Sequence, residues 1–215
     1  MKLVIGNRNY SSWSLRGWLA LRFAGIEPEI VRIPLDTPEF PDQIRAYSQA
    51  AQVPVLLDGS RTIWDSLAIC EYVAEQTGRG WPEDVELRTH ARCAVCEMHS
   101  GFPRLRAELP MNIRARRRVT IGDAVQREID RVVGLWCEAL TLHDGTAPGL
   151  YGAFGIADAF WAPVVFRFRT YGVPVPELCA LWMDRLVEHP DVAAWCALAE
   201  AEEEVLEIEE RGEPV

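Results

Sequence analysis

Three serines crowd the run Tyr10-Ser11-Ser12-Trp13-Ser14-Leu15-Arg16. An apolar stretch, Leu3-Val4-Ile5, precedes them, and a helical run, Trp18-Leu19-Ala20-Leu21, follows. The hydroxyls therefore sit at a strand-to-helix turn. Unpaired N–H groups and the positive end of the helix dipole stabilise an anion there without any charged side chain. The serines can donate to that anion, or they can serve as plain helix caps. A second element is Gln52-Val53-Pro54. A Val-Pro bond opening a strand is a candidate cis peptide, which turns the Val53 N–H and C=O outward for an extended peptide to pair with. A trans proline at a strand's first residue is the plainer reading. The third element is Asp65-Ser66. Ser66 can cap a helix. With Asp65 as acceptor for an ammonium and Ser66 as donor to a carboxylate, the pair also suits an amino-acid head group.

These groups need a scaffold, and the pattern supplies one. Leu3–Ile5 is a strand, Ser14–Ala24 a helix with Leu15, Trp18, Leu19 and Phe23 on one face, and Glu29–Ile33 an alternating strand. Strand, helix, strand implies a right-handed unit with parallel strands. A Pro-punctuated helical stretch spans Pro38–Tyr47; Pro54–Leu57 and Arg61–Trp64 form a hairpin across Asp58-Gly59; and Ser66 opens a helix that Gly78 stops. Gly80-Trp81-Pro82 reads as a linker. Beyond it no strand is expected: Glu86–Glu108 is one helix kinked at Pro103, with Gly101 inside it, and further helices cover Thr120–Leu142, Ile156–Tyr171, Glu177–His189 and Asp191–Glu207. The expected division is residues 1–80, a small α/β domain, and 86–215, an all-helical one.

Composition narrows the function. The chain has 215 residues, 49% hydrophobic and 25% charged, as expected of a globular protein. No stretch approaches the ~20 apolar residues of a membrane span, and the N-terminus is too polar for a secretory signal. A cytoplasmic location without membrane association is expected. The net charge of −10 argues against nucleic acid. The basic run at Arg114, Arg116, Arg117 and Arg118 reads as a solvated helix end, and the acidic run from Glu202 to Glu210 as a solvated, fraying helix face. Six cysteines are expected to be reduced. Cys93 and Cys96 form a C-x-x-C in mid-helix, without the second pair a zinc site needs. No metal is expected.

The order of the three elements resembles the glutathione-binding domain of the cytosolic glutathione S-transferases. VPVLLDGSRTIWDSLAICEYV is similar to that family's central signature. YSSWSLRGWLAL resembles the serine motif of its zeta class (the maleylacetoacetate isomerase type), and GIADAFWAPV its buried helix with Asp158 as a structural cap. The resemblance covers essentially the whole chain. It implies a thioredoxin-like α/β N-terminal domain followed by an all-α domain, the glutathione transferase fold. It also implies glutathione as co-substrate and a homodimer. By position, the catalytic serine falls on Ser11, with Ser12 as its rival, the cysteinyl backbone contact on Val53-Pro54, the γ-glutamyl contacts on Asp65 and Ser66, and a further ligand contact on Gln52. A small hydrophobic electrophile would meet Trp13, Met98, His99 and Phe102 between the domains. Arg16 reads as a surface salt bridge, or as a contact for an acidic substrate. Trp13 replaces the zeta-class cysteine, so the resemblance implies a transferase ahead of a maleylacetoacetate-type isomerase or a non-catalytic binding module. A thiol oxidoreductase is disfavoured, because Ser11 and Ser14 occupy the positions where such enzymes carry cysteines.

Overall fold

The computed structural model describes residues 1–143 and 145–215. β1 (Lys2–Ile5) and β2 (Glu29–Arg32) run parallel and are joined through α1 (Ser12–Phe23). After α2 (Phe40–Arg45), β3 (Val55–Asp58) and β4 (Arg61–Trp64) form an antiparallel hairpin, and β3 also pairs antiparallel with β1. The sheet order is β2-β1-β3-β4, with α3 (Ser66–Thr77) following the hairpin. Alternation along the strands sets two faces. Val4 and Val55 pack with Ile33 and Ile44 on the α2 side, whereas Leu3, Ile5 and Leu56 join Leu15, Leu19, Ile69 and Val73 from α1 and α3.

The remainder is mostly helical: α4 (Val85–Ser100), α5 (Pro103–Glu108), α6 (Asp123–Thr141), α7 (Ile156–Tyr171), α8 (Glu177–Glu188) and α9 (Pro190–Glu200). In α7 every residue except Arg169 is buried, which suits a helix apolar nearly all round. It packs against α1 and α4, so it carries side chains directly to the start of α1. Asp158, 1% exposed, anchors its beginning. One carboxylate oxygen accepts from the Leu150 N–H (2.8 Å) and the Trp182 Nε1–H (2.9 Å), and the other from the Gly155 N–H (3.0 Å). Gly155 stands where Ser or Thr would be the usual cap, and the Gly80 carbonyl beside it accepts the Ile156 N–H (2.9 Å). A Cβ at Gly155 would lie 2.5 Å from that carbonyl oxygen.

Four expectations need correction. The single kinked helix over Glu86–Glu108 is two helices. Gly101 closes α4 in an extended conformation, Phe102 is left-handed (φ 58°), and Pro103 begins α5. A residue preceding proline is kept out of the right-handed helical region, which forces the break. A Cβ at Gly101 would lie 2.6 Å from the Glu97 carbonyl oxygen. The last helix stops at Glu200 rather than Glu207, and the chain continues as a tail across the N-terminal part. The acidic run lies in that tail, where it is paired rather than fraying. Glu202 is 9% exposed and bonds Arg8, Glu204 bonds Arg32 (2.6 Å), and Glu210 accepts from Tyr10 Oη (2.6 Å) and Asn112 Nδ2 (2.7 Å). The basic run is its counterpart. Arg114 donates to the Glu202 and Glu204 carbonyls, Arg117 pairs with Glu210, and Arg117–Arg118 form a short antiparallel strand, β5, with β6 (Glu213–Pro214). Two solvated runs in the sequence are thus one interface in the fold.

Candidate functional site

The serine cluster sits where β1 feeds α1. Ser11 is the N-cap residue of α1, yet its side chain makes no capping bond. Its Oγ lies 2.7 Å from Ser14 Oγ, which accepts the Gly6 N–H at 3.1 Å. The hydroxyls thus form a chain. Ser14 accepts the backbone N–H and can donate its own O–H to Ser11 Oγ, which leaves the Ser11 O–H free for an incoming anion. All three serines are buried, and no acidic residue occupies the first turn of α1. Ser12 Oγ turns the other way, toward α7, where Arg167 Nη2 approaches it at 3.4 Å.

The Val53–Pro54 bond is cis and immediately precedes β3. Pro54 packs against α1: a Cβ on Gly17 would lie 3.3 Å from its Cγ. Gln52 is exposed beside it. Asp65, not Ser66, is the N-cap residue of α3, at the sparsely populated φ of 74°. Its Oδ1 accepts from the Leu67 and Ala68 N–H groups (2.8 and 3.3 Å), and both its oxygens lie within 3.1 Å of His99 Nε2. Ser66 is 2% exposed, and its Oγ has no partner among the described residues. A buried hydroxyl without a partner carries a desolvation penalty that a ligand acceptor would relieve.

The residues expected to meet an electrophile separate. Trp13 and His99 come together across the interface, with ring centroids 5.4 Å apart, and His99 leans on Phe160 at 6.0 Å. Met98 is fully buried in the main core. Phe102 packs against Trp161 and lines a hollow of about 440 Å³ among α4, α5 and α6, together with Gly101, Arg104, Arg127 and Arg131. That hollow includes none of the serines. Cys93 and Cys96 are exposed, unbonded thiols on α4, and among the described residues no group of three His, Cys, Asp or Glu could hold a metal ion. Cys70 is fully buried, and desolvation pushes its thiol well up, so it stays an unreactive thiol.

Arg16 is the main surprise. Expected at the surface, it is 1% exposed, donates from Nε to the Phe160 carbonyl (3.0 Å) and stacks over Trp13 at 4.3 Å. Burial holds its guanidinium well below the usual value, and Arg167 and Arg106 add to the effect. Arg106 also lies over Trp13, at 4.8 Å. Neither Arg106 nor Arg167 stands out by spacing. The available signal was an arginine inside an otherwise apolar helix, as in WSLRGWLAL and VVFRF.

A family model described as "Glutathione S-transferase, N-terminal domain" matches residues 10–76. Over 67 residues the chain is 39% identical to the dichloromethane dehalogenase of Methylophilus leisingeri, a match covering 30% of this chain and 25% of that protein. The dichloromethane dehalogenase of Methylorubrum extorquens is 37% identical over 68 residues. The chain thus matches about a quarter of the length of these curated relatives. Among solved structures, a Burkholderia glutathione transferase homologue with bound glutathione superposes with a TM-score of 0.72 at 24% identity, covering 94% of this chain and 98% of that one. A bacterial zeta-class maleyl pyruvate isomerase gives 0.69 at 22% identity, covering 95% and 100%. Residues 10–76 thus match the N-terminal domain model of the glutathione S-transferase family, and the chain has the fold of these solved glutathione transferases along nearly its whole length.

Proposed function

We propose that the protein is a glutathione transferase. Glutathione binds along residues 1–80 with its cysteinyl backbone paired to Val53 and its γ-glutamyl carboxylate on Ser66, and its sulfur sits at the turn before α1. The second substrate lies between that surface and residues 86–215. The observation that carries this reading is the hydroxyl chain Gly6–Ser14–Ser11: Ser11 Oγ makes no capping bond and, with Ser14 donating to it, keeps its own O–H for a ligand at the start of α1. The orphaned hydroxyl of Ser66 supports the same orientation of the ligand. Asp65 already holds His99, so an α-ammonium there either shares the carboxylate or displaces the imidazole.

The energetics suffice. A free thiol titrates near ~8.5, and a thiolate at neutral pH needs a shift of roughly 2 units, about 2.7 kcal/mol. A charge-assisted hydrogen bond supplies about 1.5–3 kcal/mol, and the end of α1 adds about 0.3–1 kcal/mol. The thiolate then attacks an electrophilic carbon: the S–C bond forms, and the leaving group departs with the bonding electron pair. Ser11 acts as a donor to the sulfur and forms no covalent bond. Dehalogenation, the activity for which the two curated relatives are named, fits such a displacement.

The test is conjugation of glutathione with 1-chloro-2,4-dinitrobenzene, followed by absorbance, beside an equilibrium titration of glutathione. Turnover that depends on Ser11 supports the reading. Tight glutathione binding without turnover on any electrophile would leave a binding module. A homodimer is part of the proposal, and an elution volume matching one chain would remove it.

A further inference from the structure

Two thiols from different helices touch within residues 86–215. Cys137, near the end of α6, and Cys179, in the first turn of α8, are both free cysteines, and their sulfurs are hydrogen-bonded thiol to thiol at 3.4 Å. Core packing holds them there. Trp136, the neighbour of Cys137, packs edge-on against Trp182, one helical turn beyond Cys179, with 5.0 Å between ring centroids. Both tryptophans are fully buried, and the Trp182 Nε1–H is tied to Asp158. A close-packed frame of this kind fixes the two helices, so the thiols meet without any backbone movement. A covalent S–S bond is about 2.05 Å long, so closure asks the two side chains for a combined movement on the order of 1 Å. Cys179 is fully buried, whereas Cys137 is only half-buried and is the sulfur that a reagent meets first. Burial, with the bond to Cys137 adding to it, pushes the Cys179 thiol up to about 12, which keeps it protonated until a partner is at hand. Cys93 and Cys96 are more exposed but make no bond to each other, and among the described residues no other pair of cysteine sulfurs lies within hydrogen-bond distance.

We propose that Cys137 and Cys179 form a reversible disulfide site whose co-reactant is a small disulfide, oxidised glutathione being the type. Cys137 gives its proton to water, and its thiolate attacks one sulfur of the oxidant. The oxidant's S–S bond breaks, a mixed disulfide forms on Cys137, and the first glutathione thiolate leaves and takes up a proton. Cys179 then loses its proton to water and attacks the Cys137 sulfur. The second glutathione leaves as thiolate and is protonated. The two protein thiols are oxidised by two electrons, and one oxidised glutathione becomes two reduced ones. Reduced glutathione in excess reverses both steps. The bond pins α6 to α8 beside the Trp136–Trp182 contact and closes a loop between positions 42 apart in sequence. Closing such a loop removes entropy from the unfolded chain, so the oxidised form is the harder one to unfold. Neither helix supplies a residue to the serine turn, Val53-Pro54 or Asp65-Ser66, so this site stands independently of the transferase reading.

The experiment incubates the native full chain with oxidised glutathione, blocks the remaining thiols by alkylation under denaturing conditions, and reads intact mass and a peptide map. The reduced chain should alkylate at all six cysteines and the oxidised one at two fewer, with the Cys137 and Cys179 peptides linked. Reduced glutathione should restore the first pattern. The linked form should melt about 5–15 °C above the reduced one, the scale expected for a loop of this length in a chain of this size. In Cys179→Ala no internal thiol is left to resolve the first step, so Cys137 should be trapped as the glutathione mixed disulfide. Should that variant fail to fold, Cys137→Ala, at the half-buried position, should simply lose the link. A link between Cys93 and Cys96, or glutathione adducts on those two alone with Cys137 and Cys179 still alkylated, overturns the proposal. So does a Cys137–Cys179 link that forms only in urea, or a linked form that melts at or below the reduced one, because the native packing would then oppose the bond.

Discussion

Ser11→Ala removes the last hydroxyl of a chain that begins at the Gly6 N–H and runs through Ser14. No other side-chain hydroxyl at the start of α1 replaces it, since Ser12 Oγ is turned toward Arg167 and Ser14 Oγ is bonded to the Gly6 N–H. The lost bond is charge-assisted, about 1.5–3 kcal/mol, or about 1.1–2.2 units at about 1.36 kcal/mol per unit. The bound thiol should therefore titrate one to two units higher (roughly one per 1.4 kcal/mol lost), and kcat/KM near neutral pH should drop about 10- to 100-fold. Glutathione affinity should change little, because the γ-glutamyl and backbone contacts lie at Ser66 and Val53. The assay is a pH titration of thiolate absorbance in the ultraviolet with glutathione bound, run on wild type, Ser11→Ala and Ser12→Ala. A shift in Ser12→Ala and none in Ser11→Ala would refute the reasoning, because the proton would then come from the serine facing α7. No shift in either would assign thiolate stabilisation to the helix end and the arginines.

Three further outcomes are expected. Ser14→Ala should raise the same thiol pKa by less than Ser11→Ala does, because it only orients and polarises Ser11; a larger effect would make Ser14 the donor. Asp158→Ala strands the Leu150, Gly155 and Trp182 donors in the core and should cost about 3–5 kcal/mol in urea unfolding, with Asp158→Asn intermediate; a loss below about 1 kcal/mol would mean water replaces the carboxylate. The C-terminal tail should loosen in acid. Hydrogen bonding to Arg32 lowers the Glu204 pKa below its ordinary 4.5, so that pair's stabilisation is present above 4.5 and is lost as pH falls through the lower folded value. Hydrogen exchange of residues 202–215, corrected for intrinsic rates, should show protection falling below pH 4.5. Arg32→Gln should show the same loss at neutral pH, and a tail equally protected at both pH values in wild type would contradict the pairing.

Local pattern carried the N-terminal half of the account. Period-two strands, the Gly78 stop and the order of the serine turn, Val53-Pro54 and Asp65-Ser66 all depend on neighbours within a few residues. So does the beginning of α7 at Asp158, three residues after its N-cap. These features appear in the structure where the spacing puts them. Side-chain commitments did not follow from spacing. Whether Ser11 caps α1 or points elsewhere depends on Ser14 and Gly6, and whether Asp65 is free depends on His99 from α4. The break at Gly101 was within reach of the sequence, since Pro103 constrains the residue before it.

Charge was the property that chain order concealed most. The runs around Arg114 and Glu202 each look solvated, because each is a block of like charge, yet they bond each other across the fold, Arg114 to the Glu202 and Glu204 carbonyls and Arg117 to the Glu210 carboxylate. Arg16, Arg106 and Arg167 are scattered over more than half the chain, and only the packing of α1, α5 and α7 brings the first two over the Trp13 ring and the third beside them at Ser12. Hydrophobic periodicity reports which face of each helix is buried. It carries no information on which faces meet, and the convergence of unlike elements is what makes a site.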